Sequence, residues 1–211
     1  MRHQRETIAG NLWPIVEDTS IGEHGVATLL PRGLTFPADQ LRNVSPPVLK
    51  RRLQSALDRA GVTAAQGYLF AGLHGEFDSI AAEYHLHWHL VVGGDKLAAL
   101  ERLRESATFA RNRRFDGTAL EPARVRISRL PLTNLPEPLT YSLQSSWPNR
   151  PRGTNADTGD RWRGSIRTRI PEPYHAQWLM WMDRWSIGDF VVLNGLRATS
   201  EGFELTRRLR V

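Results

Sequence analysis

The segment Tyr84-His85-Leu86-His87-Trp88-His89-Leu90-Val91-Val92 constrains this chain more than any other, because its alternation is that of a strand. Successive side chains of a strand point to opposite faces. His85, His87 and His89 therefore share one side, and Leu86, Trp88 and Leu90 pack on the other. These are three of only seven histidines in the chain. The strand ends at Gly93-Gly94, and the segment GYLFAGLHGEFD before it reads as a second strand, turned back through a short break at Asp78-Ser79-Ile80-Ala81.

Imidazoles two residues apart on one strand face converge readily on a single cation, and the neutral ring is the commonest metal ligand. On the preceding strand His74 and Glu76 also share a face. A carboxylate added to two imidazoles makes a mixed nitrogen and oxygen site suited to Mn2+ or Mg2+. Glu76 is accordingly the expected third ligand beside His87 and His89, with His74 as its rival. Cysteine is absent, which excludes disulfides, thiolate zinc sites and thiol catalysis.

The remaining pattern predicts an α+β fold with a central antiparallel sheet, the histidine strand in its middle and helices packed on it. Residues 1–22 read as a polar N-terminal arm and GVATLLPRGLTF as a strand. PPVLKRRLQSALDRAGV has apolar residues at helical spacing and stops at Gly61. DKLAALERLRESATFARNRRF reads as a long amphipathic helix capped by Asp95. ARVRISRL is a strand with arginines on its open side, and PEPLTYSLQSSW a short helix begun near Pro136 or Pro138. Residues 148–170 read as a basic loop, and residues 171–211 as a helix followed by a hairpin, either part of the same domain or a small appendage. The core is expected within residues 23–147.

No apolar run approaches the ~20 residues needed to cross a bilayer, and MRHQRETIAG lacks the apolar middle of a secretory signal, so the cytoplasm is the expected address and no membrane partner is expected. The formal net charge is +6, and only two of the 28 basic residues, Lys50 and Lys96, are lysines. The planar fork of arginine matches phosphate oxygens in pairs, which fits a nucleic-acid partner.

The segment HLHWHLVV resembles the His-hydrophobic-His motif of HUH endonucleases, especially bacterial rolling-circle replication initiators, whose pattern often has a further histidine upstream, as His85 stands here. GVATLLPRG resembles their first strand motif, and LFAGLHGEFD is similar to the strand that supplies an acidic ligand. The resemblance covers about residues 23–147, by order of motifs. It implies a metal that polarises a scissile DNA phosphate while a helix-borne tyrosine attacks phosphorus, leaving a 5′-phosphotyrosyl link that conserves the bond for rejoining. In that family the tyrosine follows the histidines after a further strand. Tyr141 occupies that place, and Tyr174, in PEPYH, is the alternative.

Replication initiators commonly carry a lysine three residues after the tyrosine, whereas this chain has Gln144 there. Single-tyrosine transposases of the same superfamily resemble it in using a nearby glutamine as a metal ligand, usually one residue further on, so Gln144 and His85 join His74 as alternative ligands. The implied function is metal-dependent nicking and joining of single-stranded or hairpin DNA for a plasmid or other mobile element. A transposase or a cleavage-dead DNA-binding relative is the alternative. A cupin-like metal protein shares His-x-His, but no glutamate follows His89 at the close spacing cupins use. Arg111, Arg113, Arg114, Arg150, Arg152, Arg161 and Arg163 are the DNA-contact candidates, with Trp147 and Trp162 for stacking on unpaired bases.

Overall fold

A computed structural model describes residues 2–111, 123–129, 132, 135, 137–141, 146–159, 161–164 and 166–206. In chain order the first half forms α1 (Arg2–Glu17), β1 (His24–Leu29), β2 (Thr35–Pro37), α2 (Pro46–Arg59), β3 (Tyr68–Asp78) and β4 (Glu83–Gly93). The second half adds α3 (Asp95–Ala99), β5 (Val125–Ser128), α4 (Glu137–Tyr141), β6 (Pro148–Asn149), β7 (Arg152–Thr154) and β8 (Arg161–Arg163). It closes with β9 (Thr168–Arg169), α5 (Tyr174–Met182), β10 (Val191–Asn194), β11 (Leu196–Thr199) and β12 (Gly202–Leu205).

These elements make an α+β fold. The main sheet runs β5-β1-β4-β3-β6-β9, with β10 also on β3 and β2 on β4. Both β1 and β3 are antiparallel to β4 and flank it, so the histidine strand lies in the middle. With α2 between β1 and β3 and α3 between β4 and β5, the four central strands form a split β-α-β arrangement. The sheet is mixed, since β6 joins β3 in parallel. An open sheet flanked by helices differs from the double-sheet jelly roll that a cupin-like reading requires.

Strand alternation divides the core. On one face Leu73, Phe77, Leu86, Trp88 and Leu90 pack under Leu49, Leu53 and Leu57 of α2 and Trp178 and Trp181 of α5. On the other, Tyr68, Phe70 and Val91 are covered by Leu12, Ile15 and Val16 of α1 and Leu139 of α4. Each large side chain so buried stabilises the fold by roughly 1.5–3 kcal/mol. The covering helices leave the histidine end of this second face to a cleft.

Four segments depart from the sequence reading. The expected N-terminal arm is helical, because Ala9, Leu12 and Val16 form an apolar stripe that docks on the sheet; polar neighbours and the internal Pro14 obscure it in the sequence. The expected long helix after Gly94 is short: α3 gives way to a 3-10 turn at Leu100–Glu105, closed where the amide and hydroxyl of Ser106 both donate to the Leu103 carbonyl. Its cap is Gly94 at φ 72°, with Asp95 in the first turn. The expected basic loop is organised as the β7/β8 ribbon and the β6/β9 pair. In the last segment β11 and β12 form the expected hairpin, but β10 pairs with β3 and α5 enters the main core, which ties residues 174–205 to the central sheet.

Candidate metal centre

Register decides which side chains meet. In the β3/β4 pair His74 stands opposite His87, Gly72 opposite His89, and Glu76 opposite His85. Directly opposed side chains have Cβ atoms about 4.5–5.5 Å apart, and the next position on the same face is about 6.8 Å further along. The Nε2 of His87 consequently lies 3.0 Å from Nδ1 of His74 and 3.1 Å from Nε2 of His89. All three rings are buried, and one ligand atom from each falls within 4.8 Å of the other two.

This arrangement fits a metal ion. A ring nitrogen offers one proton or one lone pair, so a proton cannot satisfy both contacts of His87 Nε2 at once, whereas one cation at their centre can. Metal–imidazole bonds of 2.0–2.1 Å place tetrahedral donors about 3.3 Å apart, close to the two spacings measured from His87 Nε2. Neighbours also turn the right nitrogens inward. Thr28, opposite His89 on β1, places its hydroxyl 3.1 Å from Nδ1 of His89, and the carbonyl of His85 lies 3.4 Å from Nδ1 of His87. A carbonyl can only accept, so Nδ1 of His87 carries the proton and its Nε2 the lone pair; the Thr28 hydroxyl orients the His89 ring in either tautomer.

Burial, and after it the nearness of His74 and the other rings, holds His87 well below the usual imidazole pKa. Burial, then His74 and Arg167, pushes His89 down to about 3. These rings are neutral near pH 7, the form that binds metal.

The third member of the cluster is therefore His74, the rival, in place of Glu76. The carboxylate of Glu76 faces Arg150 at 3.8 Å, Arg152 at 3.2 Å and the guanidinium of Arg163. His85 sits outside the cluster, its Nδ1 3.1 Å from Thr35 Oγ1 on the opposing strand, with burial and then Arg152 lowering its pKa to about 4.

Tyr141 comes to the histidines. Leu139 anchors α4 in the core, and two residues on the Tyr141 ring lies 4.6 Å from that of His89 and 6.2 Å from that of His74. Arg167 donates to its hydroxyl at 2.9 Å, with the guanidinium 5.3 Å from the ring centre. Tyr174 is elsewhere: its ring packs on Phe77, on the apolar face, and its carbonyl accepts from the Tyr84 hydroxyl.

A cleft of about 770 Å³ opens over the centre, lined by His87, His89, Tyr141 and, among others, Arg124, Arg126, Arg150, Arg152, Arg163 and Arg167. Trp162 also lines it and is exposed, whereas Trp147 is buried against Trp178 and Trp181, where no base can reach it. Arg111 is exposed in coil and does not line the cleft; Arg113, Arg114 and Gln144 lie outside the described residues, as does the side chain of Arg161. Arg124 and Arg126 are the open-side arginines of ARVRISRL. Arg167 belongs to the basic loop expected to be exposed and to contact DNA, although nothing in the sequence placed it at Tyr141; nothing local marked Thr28.

No family model matches the chain, and neither does any curated protein or solved structure. Among the described residues no helix is long and apolar enough to cross a membrane.

Proposed function

We propose that the chain is a metal-dependent enzyme that nicks and rejoins single-stranded DNA through Tyr141. The observation that carries this reading is the convergence, at one arginine-lined cleft, of His87 and His89, of the buried His74 clustered with them, and of a tyrosine whose ring lies 4.6 Å from that of His89. The resemblance of HLHWHLVV to the HUH motif points to the same chemistry, in the service of plasmid or mobile-element replication, or of transposition.

In the proposed reaction the Tyr141 oxygen bonds to phosphorus as the bond to the 3′ oxygen breaks. The departing oxygen leaves as a 3′ hydroxyl, taking up a proton as the phenol gives one up. A metal bound by His74, His87 and His89 would neutralise charge on the scissile phosphate. With three nitrogen donors the site suits Zn2+, Ni2+ or Co2+ better than the Mg2+ that Glu76 would have favoured. Arg167 holds the tyrosine oxygen and opposes negative charge as it develops there. Of the arginines lining the cleft, it is the one that donates to the tyrosine hydroxyl, and in this reading it supplies the charge that initiators commonly draw from a lysine. Arg124 and Arg126 provide further positive charge for the DNA backbone.

The test is a denaturing gel after incubation with a labelled single-stranded hairpin and each divalent metal. Wild type should form a covalent adduct, and Tyr141→Phe, which keeps the ring and its packing, should form none while folding normally. An adduct that persists in Tyr141→Phe would exclude this tyrosine. DNA binding without an adduct under any metal would leave a cleavage-dead DNA-binding protein.

A further inference from the structure

Two successive positions along the β3/β4 pair carry different chemistry. At the first, His74 faces His87; at the second, Glu76 faces His85, about 6.8 Å further along the strands. The Glu76 side chain is 6% exposed and gathers three guanidinium groups around one carboxylate. Arginine stays charged in proteins, so the group is left with an excess of positive charge. The Nε atoms of Arg150 and Arg152 are buried without a hydrogen-bond partner. Burial, and after it the nearby Arg163, lowers the pKa of Arg150, as expected where cations are crowded against too little anion. Glu76 organises these arginines without satisfying them.

The ribbon that brings two of them adds an aromatic surface. In β7/β8, Arg152 pairs with Arg163, and Gly153 with Trp162. A Cβ at position 153 would lie 2.7 Å from indole atoms, so the Trp162 ring can lie against the ribbon because residue 153 is glycine. Trp162 nevertheless remains 45% exposed, in the same cleft as the arginines. A large exposed ring beside under-neutralised cations has the chemistry of a single-stranded nucleic-acid groove.

We propose that this is a nucleotide subsite, in which Arg150, Arg152 and Arg163 hold the phosphate next to the reacting one and Trp162 stacks the base of that nucleotide. The proposal rests on reading the cleft as a site for single-stranded DNA. Consecutive phosphates of an extended strand are separated by a distance of the same order as the step from His74 to Glu76. A strand laid along β3 and β4 therefore offers one phosphate to the histidine centre and the next to the arginines. Guanidinium forks grip phosphate oxygens in pairs. A stacked base must be unpaired, and any base serves, because each has a π face.

The experiment measures anisotropy of labelled strands with chelator present, so that no cleavage intervenes. It compares an ordinary single-stranded oligonucleotide with an abasic strand of equal length. Trp162→Ala should weaken the base-bearing strand about ten-fold and leave the abasic strand unchanged, while Trp162→Phe keeps most of the affinity. Arg150→Gln should weaken both strands alike and reduce the salt slope by about one. Far-ultraviolet circular dichroism confirms that each variant is folded. If Trp162→Ala weakens both strands equally, or neither, the stacking subsite is overturned. If wild type binds neither strand even at low salt, the DNA reading itself falls and the subsite with it.

Discussion

The two faces of the β3/β4 pair are made by alternate residues of the same strands, yet they do opposite work. On one face Leu73, Phe77, Leu86, Trp88 and Leu90 lie beneath α2 and α5 with no space for solvent. On the other, Glu76, His85, His87 and His89 line a cleft and His74 is buried against His87, each placed by a neighbour across the sheet. The difference shows where the rigidity of the candidate centre originates. His87 is bracketed in the chain by Leu86 and Trp88, so the core behind the strand fixes the backbone from which this candidate ligand projects. Ligands carried on a strand so anchored are held more accurately than ligands on loops.

The largest effect should come from breaking the apolar face. Trp88 is 1% exposed, and Trp88→Ala removes a large ring from a closed core, which costs about 3–5 kcal/mol. Urea unfolding should show this loss, and metal affinity of the folded fraction should fall with it, because the backbone beside His87 is no longer held. A loss below 1 kcal/mol would mean that the face yields and does not hold the site.

Next in size is the complementary experiment. His87→Ala combined with His89→Ala should lower metal affinity by more than about 100-fold, since losing only an orienting neighbour costs about 10–100-fold. Stability without metal should hold or rise, because two buried polar rings are removed from the metal-free protein. Calorimetric titration and urea unfolding of the same variant test both halves. Undiminished metal binding would remove the centre; an unfolded variant would show that the faces are not separable.

The third effect is on pH. In the unfolded chain histidines take up protons as pH falls through about 6.5. In the folded chain His89 resists protonation down to about 3, and His87 is also held well below its usual value. The unfolded state therefore binds more protons between these limits, and stability falls as pH falls, by up to ~1.4 kcal/mol per unit for each such ring. Above about pH 6.5 the effect vanishes. Metal-free protein should thus be less stable at pH 5 than at pH 7, and the double alanine variant should show a shallower loss. Equal stability of wild type at the two values would contradict neutral burial.

Much of the site could be read from local pattern. Period-two alternation is a property of the strand itself, so HLHWHLVV and LHGEF placed five polar residues on one face before any tertiary contact was known. The position of Tyr141 followed from motif order. The third member of the histidine cluster did not, because His74 and Glu76 share a face and differ only in register. A register shifted by two residues would set Glu76 opposite His87, whereas a slip of one would turn the whole polar set to the other face. The observed turn ends at Ala82 with φ 53° and sets Asp78 opposite Glu83, which brings His74 to His87 and sends Glu76 to His85.

The sequence alone carried the α+β character, the two long central strands, α2, and the common face of the histidines. These depend on periodicity and turn residues, whose physics acts over a few neighbours. Tertiary structure decided that residues 2–17 are helical, that the basic segment folds into a ribbon over the cleft, and that Arg167 meets Tyr141. It also turned Glu76 from a metal ligand into the anchor of three arginines. Each of these outcomes joins residues distant in the chain. An apolar stripe forms a helix only when a sheet face is there to receive it, and a carboxylate chooses between a metal and arginines only when register has set which lies within reach.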